Sequence, residues 1–272
     1  MSTDTMTTGH QMFSAIILAA DREPHNPVAA AAGVSCKSMA PVNGTPMLFR
    51  VIEALASSGH VHDRTLCGPP RSILDREPAL KEYVSSGRVG WQENQATPSL
   101  SAFHAMASLP ADIPLLLTTS DHALLSPRIV DHFCLEACKA GCDVAAAVVR
   151  RETVTAAYPD TRRTAYRFKD GEYCSCNLFA FMTPRSRQVP QFWRRIEQQR
   201  KNPLKVINIL GWMTVLRYLL GTLTLAEVLD RLSRRLGCTA GVVVLPYPEA
   251  AIDVDSADDW HYVQRIAAQS PS

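Results

Sequence analysis

The sequence predicts an α/β protein built on a doubly wound, mostly parallel β-sheet. Short apolar runs typical of buried strands alternate with segments of helical periodicity, and turn-forming residues separate the two. The chain has 272 residues, of which 46% are hydrophobic, so it can bury a sizeable core without crosslinks. We expect residues 1–12 to be disordered and residues 13–272 to form a single domain with a helical insertion at about 186–236.

The first strand is predicted at residues 13–20, FSAIILAA, because a continuous apolar run suits a strand buried on both faces. Further runs with strand character follow along the chain. They predict strands at residues 63–67, 88–92, 114–121, 144–149, 164–168, 173–181 and 241–245. The Asp170-Gly171 step before the seventh of these eight strands is a strong hairpin signal.

Helical periodicity fills the intervals between the strands. Residues 46–58 place their apolar side chains on one side of a helix. Ser126 and Pro127 form a typical helix start, and Gly141 marks the end of that helix. The other helices are predicted at residues 71–85 with an interruption at Pro78, and at residues 100–109, 186–200, 203–220, 224–236 and 256–268, the last capped by Ser256.

The overall charge limits the classes of partner. The formal net charge is +2, from 28 basic and 26 acidic residues. This near balance argues against an extended nucleic-acid surface, which needs a basic stripe, and we expect no nucleic-acid partner. The first residues lack the apolar run of a secretory signal, and none of the eight cysteines belongs to a CxxC pair. These features predict a cytoplasmic protein with reduced cysteines.

Two common phosphate-binding motifs do not occur in the sequence. It has no GxxxxGK[ST], and no GxGxxG follows a predicted strand. Instead, Arg22 and Lys37 flank the loop that leaves the first strand. A guanidinium and an ammonium both neutralise phosphoryl oxygens, so this pair predicts a site for nucleotide phosphates at the sheet edge.

Three aspartates are candidate ligands of a divalent cation. Asp121 ends the predicted strand 114–121 at the carboxyl edge of the sheet, where α/β proteins bind ligands. Asp253 and Asp255 lie just before the closing helix. Carboxylate oxygens suit Mg²⁺, which usually takes few protein ligands. The alternatives are a helix cap for Asp121 and solvated turn carboxylates for the other two. His122 is interpreted as a structural neighbour of this site rather than a base.

The order of these residues resembles the signature of GT-A-type nucleotidyltransferases, which include the MobA-like NTP transferases. The resemblance covers roughly residues 13–182 and 240–268, and it implies the GT-A, or nucleotide-diphospho-sugar transferase-like, fold. The motifs that carry it are Leu18-Ala19-Ala20, Arg22, Lys37, the string 41–48, Thr119-Ser120-Asp121 and the string 252–260. The chain departs from the family's glycine-rich first loop, where it has Asp21 and Glu23.

The resemblance implies a nucleotidyltransferase that joins an NMP from an NTP to a phosphorylated acceptor and releases pyrophosphate, with Mg²⁺ or Mn²⁺. It makes Lys37 and Arg22 the catalytic residues that hold the phosphates, and Asp121 with Asp255 the metal ligands, Asp253 being a substitute. Asn177 matches a recurring asparagine beside the acceptor pocket. The nucleotide would contact Leu18, Ala19, Ala20, Asp21, Arg22, Lys37, Ser99 and Ser101.

Two other functions stay open. One is a glycosyltransferase that uses a finished nucleotide-sugar on the same fold, and the other is a non-catalytic adaptor or membrane-surface module. Segment 203–220 is apolar almost all round but too short for a comfortable membrane span. It is interpreted either as a buried helix or as an interfacial helix that rests on a membrane through Trp212, Leu216 and Leu219. The second interpretation places the protein at the inner face of the membrane and fits a phosphorylated lipid acceptor, whereas a phosphorylated small molecule needs no membrane.

Overall fold

A computed structural model describes residues 11–21, 25–161, 163–199 and 211–269. Ten strands are present in these residues. They are β1 Phe13–Leu18, β2 Pro41–Val42, β3 Thr45–Pro46, β4 Val61–Cys67, β5 Gly90–Gln92, β6 Leu115–Thr119, β7 Val144–Arg150, β8 Ala165–Phe168, β9 Gly171–Phe181 and β10 Ala240–Val244. Eight of them form the central sheet, and β2 and β3 form a separate small hairpin.

The central sheet has the order β10-β7-β9-β6-β1-β4-β5, with β8 paired to β9. Four pairs are parallel: β1 with β4, β1 with β6, β4 with β5 and β7 with β10. Strand β9 runs antiparallel between β6 and β7. The predicted doubly wound, mostly parallel sheet is therefore confirmed. The periodicity of the sequence did not indicate that an antiparallel strand, β9, lies in the middle of this sheet.

Most of the helices that the structure describes follow the predicted alternation, but those at residues 27–32 and 151–157 were not predicted. The described helices are α1 Pro27–Ala32, α2 Met47–Ala56, α3 Arg71–Leu74, α4 Pro78–Ser85, α5 Pro98–Ala107, α6 Pro127–Ala140, α7 Arg151–Ala157, α8 Val189–Gln199, α9 Trp212–Leu219, α10 Leu225–Leu236 and α11 Ala257–Gln269. Three short 3₁₀ turns lie at Lys37–Met39, Pro184–Gln188 and Pro248–Ala251.

Helices cover both faces of the sheet. Along β1, Phe13, Ala15 and Ile17 pack into one hydrophobic core, whereas Ile16 packs into another on the opposite face. Helices α2, α6 and α11 contribute to the first core, and α5 contributes to the second. Because a strand turns successive side chains to opposite faces, a strand between two cores is mostly apolar, which explains the run seen in the sequence. The buried Ser14 is the polar exception in β1.

Local signals fix the ends of several elements. Ser126 caps α6 by accepting a hydrogen bond from the amide of Ile129, and Gly141 ends α6 in the left-handed conformation. Pro78 divides the predicted helix 71–85 into α3 and α4, because proline suits the first turn of a helix and not its interior. Ser256 caps α11 by accepting from the amide of Asp259.

The predicted hairpin around Asp170-Gly171 is confirmed by the antiparallel pairing of β8 with β9. A second hairpin, β2–β3, is absent from the prediction. Its turn has positive φ at Asn43 and Gly44, which is the turn chemistry that two-residue hairpin loops favour. This hairpin contains residues 41–46 of the 41–48 string, and the last two residues of the string begin α2.

The predicted helix 203–220 is wrong as one continuous element. Residues 200–210 lie outside the described residues, and Gly211 has a φ of +86°, which is not helical, so the described helix α9 begins at Trp212. In the parts of the chain that the structure describes, no helix combines the length and the hydrophobicity needed to cross a bilayer. The expected disorder of residues 1–12 falls mostly on residues 1–10, which are also outside the described residues.

Candidate functional site

The candidate site lies at the carboxyl edge of the sheet, where β1 and β6 end side by side. The backbone amide of Ser120 donates to the carbonyl of Leu18 at 2.9 Å, which aligns the two strand ends. Asp121 follows two residues after β6, and its carbonyl accepts a hydrogen bond of 3.2 Å from the amide of Val254. This bond brings the segment before α11 to the same edge, so residues far apart in sequence converge there.

Lys37 reaches this edge from the loop after β1. Its backbone amide donates to Asp21 Oδ2 at 3.0 Å. Burial raises the pKa of Asp21, although the hydrogen bond and the charge of Lys37 oppose the rise. The carboxylate that replaces a glycine of the family's first loop therefore anchors the main chain of Lys37. This anchoring function of Asp21 was not predicted.

The side chain of Lys37 lies between two aspartates. Its Nζ is 2.6 Å from Asp121 Oδ2 and 3.5 Å from Asp255 Oδ1. The side chains of Lys37 and Asp121 are each 16% exposed, whereas that of Asp255 is 71% exposed. Thr119 donates a short hydrogen bond to the other carboxylate oxygen of Asp121. The structure thus brings together Lys37, Asp121 and Asp255, which the sequence placed in one site.

The electrostatics of this cluster favour its charged forms. Burial raises the pKa of Asp121, but the Lys37 ammonium and the bond from Thr119 more than offset it, so the pKa lies below its ordinary value. Burial lowers the pKa of Lys37, yet the charges of Asp121 and Asp255 lift it above its ordinary value. Both partners therefore stay ionised at neutral pH.

Asp253 belongs to a neighbouring group of polar side chains. Asn177 Nδ2 donates to Asp253 Oδ2 at 2.6 Å. The guanidinium of Arg163 forms an ion pair with Oδ1, without a well-aligned hydrogen bond to that oxygen. Burial raises the pKa of Asp253, and Arg163 partly opposes the rise. The carboxylate of Asp253 thus contacts an amide and a guanidinium, whereas those of Asp121 and Asp255 contact the ammonium of Lys37.

A distortion of β9 positions Asn177. The pairing of β7 with β9 shifts between Ala146 and Val148, which face Phe179 and Ser175, and Asn177 lies within the shifted stretch with a φ of +40°. A bulge of this kind re-aims a side chain that regular pleating would direct elsewhere. Here it directs the amide of Asn177 to the carboxylate of Asp253.

Ser99 and Ser101, which the resemblance implies as nucleotide contacts, lie in the first turn of α5, and residues 93–97 form the loop that precedes it. Ser101 Oγ accepts from the amide of Gln95 at 2.8 Å, and the hydroxyls of Thr97 and Ser99 are 3.0 Å apart. Both serines are buried. Their hydroxyls therefore shape the loop in this structure, and their contact with a nucleotide stays a prediction.

Two amide residues beside this loop were missed by sequence reasoning. Gln92 Nε2 and Asn94 Oδ1 are buried, and neither makes a well-aligned hydrogen bond among the described residues, although the Gln92 amide lies beside the thiol of Cys67. Asn94 lies close to the end of β1, since a Cβ added to Gly68 would be 3.2 Å from Ala20 and 3.3 Å from Asn94. Gln92 ends β5 and Asn94 follows it at the same carboxyl edge, and this position was the signal that could have identified them.

Arg22 and His122 are the remaining residues that the sequence associates with this site. Arg22 lies outside the described residues, so its function stays a prediction. His122 is buried, and burial lowers its pKa to about 4, against the opposing charge of Asp121. Its Nδ1 is 3.4 Å from the hydroxyl of Thr118. A neutral, buried imidazole agrees with the interpretation of His122 as a structural neighbour.

Comparison with known proteins identifies the family. The model of the MobA-like NTP transferase domain matches residues 15–204, which is more than half of the chain. The chain belongs to this family. No curated protein matches the sequence.

Solved structures agree with membership of the MobA-like family. A hypothetical transferase from Thermus thermophilus is 30% identical, with a TM-score of 0.76 over 92% of this chain and 100% of that chain. A CMP:2-keto-3-deoxy-manno-octonic acid synthetase complexed with CTP is 14% identical, with a TM-score of 0.55 over 94% of this chain and 99% of that one.

A third solved structure, a 4-diphosphocytidyl-2C-methyl-D-erythritol synthase from Anaerococcus prevotii, is 13% identical. Its TM-score is 0.56 over 96% of this chain and 97% of that one. At this identity the last two structures show a shared fold alone. The MobA-like chain therefore has a nucleotidyltransferase-type fold over nearly its whole length.

The residues of this MobA-like domain fit a divalent cation of the kind the fold family implies. Among the described residues, no cluster of three or more His, Cys, Asp or Glu side chains is arranged to hold a metal by itself. Two carboxylates, those of Asp121 and Asp255, nevertheless face a single cationic centre, the ammonium of Lys37. Mg²⁺ needs only one or two carboxylates when substrate phosphates and water supply its other ligands.

Proposed function

We propose that the protein transfers a nucleoside monophosphate from an NTP to a phosphorylated acceptor and releases pyrophosphate. The observation that carries this proposal is the meeting of Lys37, Asp121 and Asp255 at the carboxyl edge of the sheet. A cation for phosphate and two carboxylates for Mg²⁺ are the parts that phosphoryl transfer requires, because that chemistry depends on positioning and on charge neutralisation.

In the proposed reaction, an oxygen of the acceptor phosphate attacks the α-phosphorus of the NTP. The bond from this phosphorus to the oxygen that bridges to the β-phosphate breaks, and pyrophosphate leaves with that oxygen. Lys37 and Arg22 hold the phosphates and offset the charge that develops on the leaving group. Asp121 and Asp255 would hold Mg²⁺, which would further neutralise the charge of the phosphates.

The nucleotide occupies the side of the site between the ends of β1 and β5. Leu18, Ala19 and Ala20 form one wall, and residues 94–101, with Ser99 and Ser101 in the first turn of α5, form the other. Asn94 offers an unpaired acceptor to the edge of the base, and Gln92, beside the thiol of Cys67, offers a donor. One structural neighbour is complexed with CTP, and here the base stays unassigned because amide groups pair with any of the four.

The acceptor occupies the side formed by Asn177 and Arg163. Both side chains contact Asp253, the substitute metal ligand. A guanidinium beside an amide suits a phosphate group, since it presents several donors in a fixed plane. The acceptor is thus a phosphorylated small molecule or a phosphorylated lipid headgroup.

Pyrophosphate release tests the proposed reaction. The purified protein is incubated with each NTP, Mg²⁺ and candidate phosphorylated acceptors, and Asp121→Asn is assayed in parallel. We expect acceptor-dependent release of pyrophosphate, slower by about 100-fold in the variant, since the loss of a metal ligand removes ~3 kcal/mol of transition-state stabilisation. Release of a nucleoside diphosphate from a nucleotide-sugar, without pyrophosphate from any NTP, would instead identify the glycosyltransferase alternative.

A second observation favours contact with a membrane surface. Helix α9 exposes large apolar side chains along one side: Trp212, Met213, Leu216, Leu219 and the adjoining Leu220. Trp212 and Leu219 are 66% and 75% exposed. The opposite side of α9 packs on the protein, since the ring of its Tyr218 makes an edge-to-face contact with Phe168. We propose that this apolar side rests on an anionic bilayer, an arrangement that fits a lipid acceptor.

A further inference from the structure

The ammonium of Lys37 lies where two carboxylates converge, and we infer that in the nucleotide-free protein it occupies the place of the divalent cation. The metal then enters only together with an NTP, whose phosphates draw Lys37 away. This inference rests on the proposed function, because it concerns the order in which the metal and the nucleotide reach the same site.

The distances support the substitution of one cation for the other. Lys37 Nζ is 2.6 Å from Asp121 Oδ2 and 3.5 Å from Asp255 Oδ1, so one positive centre serves both carboxylates. Mg²⁺ binds carboxylate oxygens at about 2.1 Å. A metal ion on Asp121 Oδ2 would therefore lie beside the ammonium that the same oxygen already accepts from. Like charges at such a distance repel strongly in a partly buried site, and the two cations exclude each other.

In the described part of the chain, Lys37 is the only cationic residue that forms an ion pair with Asp121 or Asp255. Arg163, the nearby guanidinium, pairs with Asp253. The two carboxylates thus depend on Lys37 for neutralisation as long as the metal is not bound.

The local structure lets the ammonium move without the main chain. The amide of Lys37 is anchored on Asp21, and the carbonyl of Lys37 accepts a hydrogen bond of 3.0 Å from the amide of Ala40. The four-carbon side chain can swing while the backbone stays fixed. A triphosphate offers the ammonium a partner of greater charge than Asp121. When the nucleotide draws Lys37 away, the carboxylates become free to bind the metal, so NTP raises the affinity for the metal. The metal must then raise the affinity for NTP by the same factor, because coupling between two ligands is reciprocal.

The experiment measures the affinity of Mn²⁺, without nucleotide, for the full chain and for Lys37→Met by electron paramagnetic resonance. We expect the variant to bind Mn²⁺ about tenfold more tightly than the wild type, a coupling of ordinary size. Lys37→Arg keeps a cation and is expected to bind as weakly as the wild type. Lys139→Met, which removes an exposed lysine on α6, is the matched control and is expected to change nothing.

The gain in Lys37→Met must disappear when Asp121→Asn is added, which locates the metal at these carboxylates. Circular dichroism confirms that each variant is folded, and Lys37→Gln replaces Lys37→Met if the latter is not. Folded Lys37→Met and Lys37→Gln that bind Mn²⁺ no more tightly than the wild type overturn the inference. If NTPs still bind to the wild type in that case, the proposed function stands while the binding order is wrong. A gain of Mn²⁺ binding in a protein that binds no NTP contradicts the proposed function instead.

Discussion

The side-chain amide of Asn177 donates a hydrogen bond of 2.6 Å to the carboxylate of Asp253, across 76 positions of the sequence. The bond joins the bulge of β9 to the segment before α11. Arg163 completes the group by an ion pair with the same carboxylate. Asp253 is only 8% exposed, so its charge depends on these two partners.

Arg163→Met is expected to destabilise the fold by about 3 kcal/mol, because a buried carboxylate that loses its cation is left uncompensated. For a domain of this size the melting temperature should fall by several degrees. The matched control is Arg234→Met, which breaks the exposed ion pair with Asp230 and should cost at most about 0.5 kcal/mol. Equal costs for the two variants in denaturant unfolding would show that the Asp253 group does not hold its loop in place.

Lys37→Ala should lower the turnover number more than it weakens acceptor binding. A cation that faces the leaving pyrophosphate acts most strongly in the transition state, so its loss appears mainly in kcat. Steady-state kinetics with varied acceptor separates the two parameters. A change confined to the acceptor KM would place Lys37 on the acceptor side of the site and would favour the glycosyltransferase alternative.

The apolar side of α9 should bind anionic vesicles at low salt. Co-sedimentation with liposomes of mixed phosphatidylcholine and phosphatidylserine measures it, and Leu219→Asp is expected to reduce the bound fraction severalfold. Leu135→Asp changes another exposed leucine, on α6, and serves as the control. If the wild type stays in the supernatant, the exposed side of α9 contacts another protein surface or solvent instead.

Acid should remove the stabilisation that Glu227 gives to the junction of α9 and α10. The amide of Thr224 and the guanidinium of Arg217 hold the pKa of Glu227 down to about 2. A depressed carboxyl pKa stabilises the fold above about pH 4.5, and this contribution is lost as the pH falls toward 2. We expect the wild type to unfold at higher urea than Glu227→Gln at pH 7, with the difference vanishing near pH 2. A difference independent of pH would mean that the charge of Glu227 is immaterial.

Much of the fold follows from patterns that are local in the sequence. The apolar run of β6 predicts both the strand and the place of Asp121, and the Ser126–Gly141 signals predict α6 almost to the residue. Lys37 and Asp121 were expected in one site because both follow strands that end at the same edge. These predictions succeed since burial and capping leave a signature within one element.

The partners of the site residues could not be predicted in the same way. The contact of Lys37 with Asp121, the contact of Asn177 with Asp253 and the function of Asp21 all depend on how separate elements pack. The bulge in β9 has no glycine or proline to announce it. The helix break at Gly211 falls in a segment whose hydrophobicity alone predicts one helix. The break could not be predicted, because a single glycine lowers helix stability without forbidding the helix.

The central claim is that this edge of the sheet binds an NTP together with a divalent metal. Thermal denaturation with each of the four NTPs and Mg²⁺ tests it most directly, since no acceptor needs to be known. At 100 times its Kd a nucleotide adds about 2.7 kcal/mol of stability, which raises the melting temperature by several degrees. We predict such a rise with at least one NTP in the presence of Mg²⁺, and a much smaller one in Asp121→Asn. The absence of any rise with all four NTPs and Mg²⁺ would contradict the account.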